Sequence, residues 1–227
     1  MNTAQHVAII MDGNRRWARA RDLEEIEGHR AGVDRLKEVV DEARELGIEY
    51  LTVWAFSTKN FNRSASFLRQ IMMIFRETLA KENWWNELKE KQVRLQVIGN
   101  LDLFPKDIVQ KIEEYLADTA SDPKLTLTIA LGYEGRDEIV RAIGKLLAEN
   151  RQKIDIVGFE RYLDTAGMPD PDLIIRTGGD TRLSGYLLWQ MADAELYFCE
   201  TLWPDFGKDD LQRALGSYET RERRFGK

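Results

Sequence analysis

Short apolar runs rich in β-branched residues alternate along the chain with stretches in which apolar residues recur every three or four positions. The short runs predict strands over residues 7–11, 50–56, 93–98, 125–131, 173–176 and 196–198. The spacing between them predicts helices over residues 16–21, 31–46, 66–88, 108–116, 136–147, 184–191 and 209–224. The chain therefore alternates strand and helix from one end to the other.

Such an alternation, with strands that are apolar on both faces, is typical of a parallel sheet with helices on each side. We predict an α/β fold: one doubly wound domain over residues 1–227, with a mostly parallel central sheet of about six strands covered by helices. In open sheets of this kind, ligands bind beyond the carboxyl ends of the strands. The residues that follow each predicted strand are therefore the candidates for chemistry.

Composition narrows the class of partner. The chain has 227 residues, 43% of them hydrophobic, and a net charge of −6, so we expect a folded protein without a nucleic-acid partner. Its single cysteine, Cys199, excludes an internal disulfide and indicates a reducing compartment. The apolar runs are far shorter than the roughly 20 residues that span a bilayer. We expect a cytoplasmic protein without a targeting segment, and any anion site must be a local cluster of basic residues.

The turn after the first predicted strand is the best candidate for such a cluster. Asp12 and Gly13 are followed by four arginines within residues 15–21. A glycine turn, the free N–H groups of a new helix and bidentate arginines together fit a phosphate or diphosphate. A solvated helix face is the alternative interpretation. Asp12 itself fits either a Mg²⁺ ligand that bridges phosphates or a helix N-cap, and local sequence leaves both open.

Two other strand ends carry potential phosphate ligands. Residues 57–60 (Ser-Thr-Lys-Asn) follow the second strand, and residues 176–180 (Arg-Thr-Gly-Gly-Asp), with Arg182 and Ser184, follow the fifth. The sequence contains neither a Walker P-loop nor a Gly-x-Gly-x-x-Gly turn, so a nucleotide cofactor is not supported. His29 fits a structural or a functional role equally well. Glu195 precedes its strand, and local sequence indicates a solvent-facing carboxylate there.

Six separated motifs together resemble the cis-prenyltransferases, the family that includes undecaprenyl diphosphate synthase. They are residues 6–17 (HVAIIMDGNRRW), 28–32 (GHRAG), 55–57 (AFS), 176–179 (RTGG), 189–198 (WQMADAELYF) and 202–206 (LWPDF). The resemblance implies condensation of isopentenyl diphosphate with an allylic diphosphate, such as the farnesyl or geranylgeranyl compound, to a Z-polyprenyl diphosphate. It also implies Mg²⁺ as cofactor, a homodimer, and membrane contact only through the lipid product.

The resemblance also implies roles for individual residues. Asp12 matches the essential acid and, with Glu195, the metal ligands, which replaces the local interpretation of Glu195. Asn60 matches a residue assigned to proton removal, although a neutral amide is a poor base and is better suited to positioning water or diphosphate. Substrate binding is expected at Gly13, Asn14, Arg15, Arg16, Trp17, His29, Ser57, Thr58, Lys59, Phe61, Arg63, Arg176, Arg182, Leu183, Ser184, Arg224 and Gly226.

The sequence departs from the family pattern at Glu25, where many members place an arginine four residues before the histidine. The charge at this position is reversed, which leaves the allylic donor and the product length open. Two alternatives therefore stand beside the main hypothesis: a non-catalytic partner subunit of a heteromeric prenyltransferase, and an enzyme that couples two allylic units. The apolar face formed by Phe67, Ile71, Ile74 and Phe75 could line a channel for the growing chain, or belong to the ordinary core.

Overall fold

The central sheet contains six strands, and every pairing among the described residues is parallel. The computed structural model describes residues 4–151 and 153–220. The strands are β1 (His6–Ile10), β2 (Tyr50–Phe56), β3 (Val93–Ile98), β4 (Leu125–Leu131), β5 (Leu173–Arg176) and β6 (Glu195–Phe198). Their order across the sheet is β3-β4-β2-β1-β5-β6. The predicted fold class is thereby confirmed, with a sheet that is entirely rather than mostly parallel in this part of the chain.

Eight α-helices connect these strands within the described residues. They are α1 (Asn14–Arg19), α2 (Glu25–Glu45), α3 (Ala65–Leu79), α4 (Glu82–Glu90), α5 (Lys106–Ala117), α6 (Gly135–Ala148), α7 (Ile156–Glu160) and α8 (Lys208–Glu219). A short 3-10 helix, Thr58–Asn62, follows β2 directly. No helix of the described residues is both long enough and apolar enough to cross a bilayer.

The two faces of the sheet are packed differently. Along β1, Val7 and Ile9 point into the large core, whereas Ala8 and Ile10 point into a smaller one on the opposite face. The large core contains residues from α2, α3, α4, α5 and α8, so the thick helical layer lies on that side. A cavity enters the molecule on this same side of the sheet, next to the large core.

Three predicted helices differ from the structure. The predicted helix 66–88 is two helices, α3 and α4, interrupted at Ala80 and Lys81. The predicted helix 31–46 begins earlier, at Glu25. The helix predicted over 184–191 is wrong: this segment is a series of turns in which Ser184 and Leu187 have positive φ angles of 55° and 45°. Residues 221–224, the end of the last predicted helix, lie outside the described residues.

The register of the strands brings the candidate turns together. Ile10 of β1 lies level with Arg176 of β5, and Arg176 lies level with Phe198 of β6. On the other side of β1, the ladder between β2 and β4 shifts register between Trp54 and Phe56. Because this irregularity comes at the end of β2, the chain leaves the ladder there and enters the 3-10 helix beside the β1–α1 turn.

Candidate functional site

The turn between β1 and α1 is held rigidly by its neighbours. Gly13 has a φ of 116°, and a Cβ at this position would lie 2.9 Å from Cα of Leu202. The Asp12 N–H donates to Thr177 Oγ1 over 2.9 Å, and the Thr177 hydroxyl donates to the Asp12 carbonyl oxygen over 2.7 Å. No side chain caps α1. The interpretation of Asp12 as an N-cap is therefore wrong, and its carboxylate is available for other contacts.

The Asp12 carboxylate lies between two arginines from different strand ends. Arg16, one helical turn along α1, donates to Asp12 Oδ1 over 3.1 Å, and Arg176 donates from Nη2 to Asp12 Oδ2 over 2.8 Å. The side chain of Arg176 is only 6% exposed, whereas that of Arg16 is 47% exposed. Asp12 therefore balances a buried cation and helps to hold a second, more accessible one at the edge of the sheet.

A second carboxylate completes the cluster after β5. Asp180 Oδ2 accepts from Arg176 Nη2 over 3.0 Å, and both terminal nitrogens of Arg182 donate to Asp180 over 3.0 and 2.8 Å. Arg176 Nη1 also donates to Ser184 Oγ over 3.0 Å. The turns that replace the predicted helix at 184–191 give Ser184 the backbone conformation in which its hydroxyl reaches this guanidinium. Two arginines and a hydroxyl thus form a compact group suited to a diphosphate.

A separate group of cations lies on the α2 side of the turn. Arg15 and Arg19 come from α1, and Arg63 follows the 3-10 helix after β2; all three line the same cavity as Asp12. His29 lies among them, and burial together with the charges of Arg63 and Arg15 lowers its pKa to about 4. His29 is therefore neutral at pH 7, and its Nε2 has no hydrogen-bond partner. The ring faces the cavity that both groups of arginines share.

The cavity has a volume of about 630 Å³, with a charged mouth and an apolar interior. Phe67, Ile71, Ile74 and Phe75 all line it, and the same four residues also belong to or pack against the large core, so both alternatives for this helical face apply. Trp84, Trp85 and Tyr115 also line the cavity. Trp84 and Trp85 follow the end of α3, a helix that starts just after the carboxyl end of β2, so these rings lie at the end of the cavity remote from the charged mouth. Trp85 stacks on Tyr115 with ring centroids 4.7 Å apart. A long apolar chain attached to an anionic head group would fit this shape.

The structure brings most of the predicted site residues to this cavity. Those that line it are Asp12, Gly13, Asn14, Arg15, Arg16, His29, Ser57, Asn60, Arg63, Arg176, Arg182 and Ser184. Asn60 Oδ1 accepts the Ser57 N–H over 2.9 Å. Because this hydrogen bond occupies the amide oxygen, Asn60 is better suited to donating a hydrogen bond from its NH₂ group to a ligand in the cavity than to accepting a proton from one.

Other predicted residues lie beside the cavity rather than on its wall. Lys59 forms an ion pair with Glu134 at 2.7 Å, and Thr58 donates to the same carboxylate. The Phe61 ring packs edge-on against Phe56 and Phe104, and Leu183 packs against the smaller core. These contacts support the walls of the cavity.

Trp17 and Glu195 also lie away from the wall. The Trp17 indole donates to Asp205 over 2.7 Å. Glu195 is the first residue of β6 and pairs with Leu173 of β5. Leu173 lies three positions before Arg176, which is at the carboxyl edge of the sheet. Asp12 and Glu195 thus lie toward opposite ends of the sheet within one chain, and the metal role of Glu195 stays a prediction. Arg224 and Gly226 lie outside the described residues.

Several residues of the site were not predicted from the sequence. Asp180 binds both arginines of the β5 group, and its position four residues after Arg176 was the available signal. Trp203 lines the cavity and donates from its backbone N–H to the Asp12 carbonyl oxygen over 2.9 Å. Trp84, Trp85 and Tyr115 carried no signal, because aromatic residues at helical spacing predict an ordinary core equally well.

Comparison with known proteins agrees with this geometry. A family model described as undecaprenyl diphosphate synthase, of the prenyltransferases, matches residues 10–226. The chain is 46% identical over 223 residues to an isoprenyl transferase of Neisseria gonorrhoeae, covering 98% of this chain and 89% of the relative. It is 43% identical over 229 residues to an isoprenyl transferase of Porphyromonas gingivalis, covering 98% and 89%.

Solved structures show the same likeness. The crystal structure of lavandulyl diphosphate synthase from Lavandula x intermedia, in complex with dimethylallyl diphosphate, superposes with a TM-score of 0.93. The two chains are 37% identical, and the match covers 99% of each. Fold and sequence are therefore similar over almost the whole length of both chains.

Proposed function

The chain belongs to the undecaprenyl diphosphate synthase family of prenyltransferases, and from this premise we propose that it is a Mg²⁺-dependent cis-prenyltransferase. It condenses isopentenyl diphosphate with an allylic diphosphate, of which the farnesyl and geranylgeranyl compounds are the expected donors. The product is a Z-polyprenyl diphosphate. The observation that carries this proposal is the presence of two arginine groups at the mouth of one apolar cavity.

Each arginine group suits one substrate. Arg15, Arg19 and Arg63 lie at the mouth beside the apolar wall formed by α3, so they bind the diphosphate of the allylic donor while its chain enters the cavity. Arg176, Arg182 and Ser184 bind the diphosphate of isopentenyl diphosphate. Asp12 and Arg16 lie between the two groups. This arrangement holds both substrates with their reacting carbons in the space between two fixed anion sites.

The reaction needs charge stabilisation rather than a covalent nucleophile. The allylic C–O bond breaks, and the diphosphate leaves with the electron pair. The double bond of isopentenyl diphosphate forms the new C–C bond, and the resulting cation gives up a proton to the released diphosphate. Arg15 and Arg19 stabilise the departing diphosphate because their donors are in place before the bond breaks. The aromatic and aliphatic wall excludes the water that would otherwise capture the allylic cation.

The residues at the mouth fit Mg²⁺. Asp12 and Asp180 both accept a hydrogen bond from Nη2 of Arg176, so the two carboxylates are neighbours at the mouth. Residues 4–151 and 153–220 contain no group of three or more acidic, histidine or cysteine side chains that would hold a metal alone. Mg²⁺ commonly binds through one or two carboxylates and substrate phosphates, so Asp12 would hold it once a diphosphate is present. When bound, the ion supplies positive charge to the leaving diphosphate.

Coupling of two allylic diphosphates is the second candidate. Its supporting observation is the likeness to lavandulyl diphosphate synthase, whose crystal structure contains dimethylallyl diphosphate, an allylic compound. The same two anion sites would then hold two allylic head groups. A third candidate, a non-catalytic partner subunit, is disfavoured by the complete arginine groups and by Asp12 between them.

The test is turnover by the purified chain. The protein is incubated with Mg²⁺, labelled isopentenyl diphosphate and, separately, dimethylallyl, geranyl, farnesyl or geranylgeranyl diphosphate, and products are sized beside an Asp12→Ala variant. We expect elongation that disappears in the variant and after chelation of the metal. Product from an allylic donor alone would favour the second candidate. A folded protein without product from any donor would overturn the proposed function.

We also propose that the enzyme is a cytoplasmic homodimer. The supporting feature is the terminal sequence Arg224-Phe225-Gly226, which matches a family pattern that reaches the isopentenyl site of the partner subunit. Contact with the membrane is expected only through the lipid product. No role for nucleic acid is proposed, because the net charge of −6 opposes binding to a polyanion.

A further inference from the structure

Glu25, the first residue of α2, binds two arginines of the allylic group simultaneously. Arg15 donates from both Nε and Nη2 to the Glu25 carboxylate, with the Nη2–Oε1 distance at 3.0 Å. Arg19 also donates from Nε and Nη2, with the Nε–Oε1 distance at 2.9 Å. The Arg15 guanidinium, assisted by Arg19, lowers the pKa of Glu25 to about 2. The carboxylate is therefore charged throughout the physiological range.

These contacts have the form in which a diphosphate would be held. A guanidinium has five N–H donors, and a bidentate contact with an anion uses two of them. Arg15 and Arg19 each use their Nε and Nη2 donors to bind Glu25. Both arginine side chains line the cavity, whereas the Glu25 side chain does not. The carboxylate thus holds the two arginines from outside the cavity and withholds part of their donor capacity from a ligand inside it.

Glu25 also reduces the charge of this end of the mouth. Arg15, Arg19 and Arg63 supply three positive charges, and His29 adds none at pH 7 because its pKa is lowered to about 4. With Glu25 the sum falls to two. Charges at the partly exposed mouth interact over several ångströms, so one added negative charge weakens the attraction for any diphosphate bound there.

We infer that Glu25 is a positioning residue that sets the affinity of the allylic site, acting as a built-in anion that competes with the diphosphate for Arg15 and Arg19. This inference rests on the proposed function. Each condensation releases a diphosphate from this site, and a site that held it with all its donors would release it slowly. Glu25 keeps the arginines oriented and limits how tightly the released diphosphate is held.

The test measures binding without turnover. Geranyl S-thiolodiphosphate, an unreactive allylic analogue, is titrated calorimetrically into the wild-type protein and the Glu25→Gln variant at several salt concentrations. Gln keeps the size of the side chain but removes the charge and one of the two strong acceptors. We expect binding about fivefold to tenfold tighter in the variant, with a steeper dependence on salt. In turnover, KM for the allylic donor should fall while kcat does not rise.

Glu24→Gln is the matched control. Glu24 is an exposed neighbour at the same helix end, so this variant removes the same charge without touching the arginines, and we expect less than a twofold change. Melting temperatures confirm that both variants fold. Unchanged or weaker binding in Glu25→Gln, with normal binding by the wild type, would overturn the role of Glu25 alone. A folded wild-type protein that bound no analogue would overturn the proposed function and, with it, this inference.

Discussion

Arg176 Nη2 lies 2.8 Å from Asp12 Oδ2, and this ion pair joins the ends of β5 and β1 at the carboxyl edge of the sheet. Arg176 is 5% exposed and the Asp12 side chain is 29% exposed, so the pair is buried at the arginine and accessible to solvent at the carboxylate. Asp180 contacts the same nitrogen of Arg176 over 3.0 Å. The buried guanidinium thus contacts both carboxylates at the mouth, and the two proposed substrate sites share this centre.

Asp12→Asn should abolish activity while the protein still folds. The change keeps the shape of the side chain but removes the charge that faces Arg16 and Arg176 and that would hold the metal. We expect a loss of at least about 100-fold in turnover, comparable to the loss of one electrostatic group in other active sites. Arg176 retains Asp180, so the melting temperature should fall by only a few degrees.

Steady-state kinetics and thermal melting measure both quantities. Asp34→Asn is the control, because Asp34 is an exposed carboxylate of α2 that forms surface ion pairs with Lys37 and Lys81. It should change neither quantity appreciably. An Asp12→Asn variant with near-normal turnover would contradict the central position given to Asp12.

Trp85→Leu should shift the products toward longer chains. Trp85 lines the cavity, stacks on Tyr115 and donates from its indole to the Thr78 carbonyl oxygen over 3.1 Å. A smaller side chain opens space at the far end of the cavity, at a cost of about 2–3 kcal/mol in stability. Chromatography of labelled products compares the chain lengths.

Trp189→Leu separates this effect from loss of stability. Trp189 packs on Phe159 with ring centroids 4.8 Å apart, in a hydrophobic cluster that does not line the cavity. It should lower stability without lengthening the products. Equal product lengths in wild type and Trp85→Leu would show that the far end of the cavity does not limit the chain.

Acidification should destabilise the protein through His29. Burial lowers the pKa of His29 from its ordinary value of 6.5 to about 4, so between these values the unfolded chain binds a proton that the native protein excludes. His29 therefore contributes its whole stabilisation above pH 6.5. As the pH decreases toward 4, the free energy of unfolding falls by up to about 3 kcal/mol. Urea unfolding of wild type and His29→Gln across this range measures the difference.

The expected signature is a stability difference between the two proteins that changes with pH in favour of the variant on the acid side. A difference that is constant from pH 7 to pH 4.5 would mean that His29 is protonated as readily in the native protein as in the unfolded chain.

Gly28→Ala should damage both folding and the site. A Cβ on Gly28 would lie 2.0 Å from the Asn14 carbonyl oxygen, so α1 could not keep its close approach to α2. Because α1 carries Arg15 and Arg16, we expect a loss of more than about 2 kcal/mol in stability together with weaker diphosphate binding. Thermal melting and analogue titration are the measurements.

Gly144→Ala is the control, because it makes the same substitution at a helical glycine. A Cβ at Gly144 would meet no atom within 4 Å, so replacement should stabilise α6 by about 0.5–1 kcal/mol. If both glycine variants behaved alike, the close packing of α1 on α2 would not be the reason for glycine at position 28.

Deletion of residues 225–227 should reduce turnover without changing the melting temperature of the subunit appreciably. The proposed homodimer uses this terminal segment at the isopentenyl site of the partner subunit, so KM for isopentenyl diphosphate should rise more than KM for the allylic donor. Turnover and sedimentation of the truncated protein measure its activity and its oligomeric state. Unchanged activity would favour a solvated tail.

Sequence alone determined the sheet and the location of the site. Each of the six predicted strands is present, because short runs rich in apolar and β-branched residues suit a sheet that helices cover on both faces. Asp12, Arg176 and Ser57 could be placed together because the carboxyl ends of parallel strands meet at one edge. The prenyltransferase family was also predicted correctly, since its motifs are distributed in order along the whole chain.

Only the tertiary structure decided the contacts between residues that are separated along the chain. Glu25 lies ten residues from Arg15, and no local pattern predicts that its carboxylate binds both Arg15 and Arg19. The predicted helix at 184–191 is replaced by turns that bury Tyr186 and Leu187 in the smaller core and let Ser184 accept a hydrogen bond from Arg176, so tertiary packing overrides the local helical spacing. Periodicity records which side of an element is apolar. Which partner that side or a charged group meets is set by the packing of the whole chain.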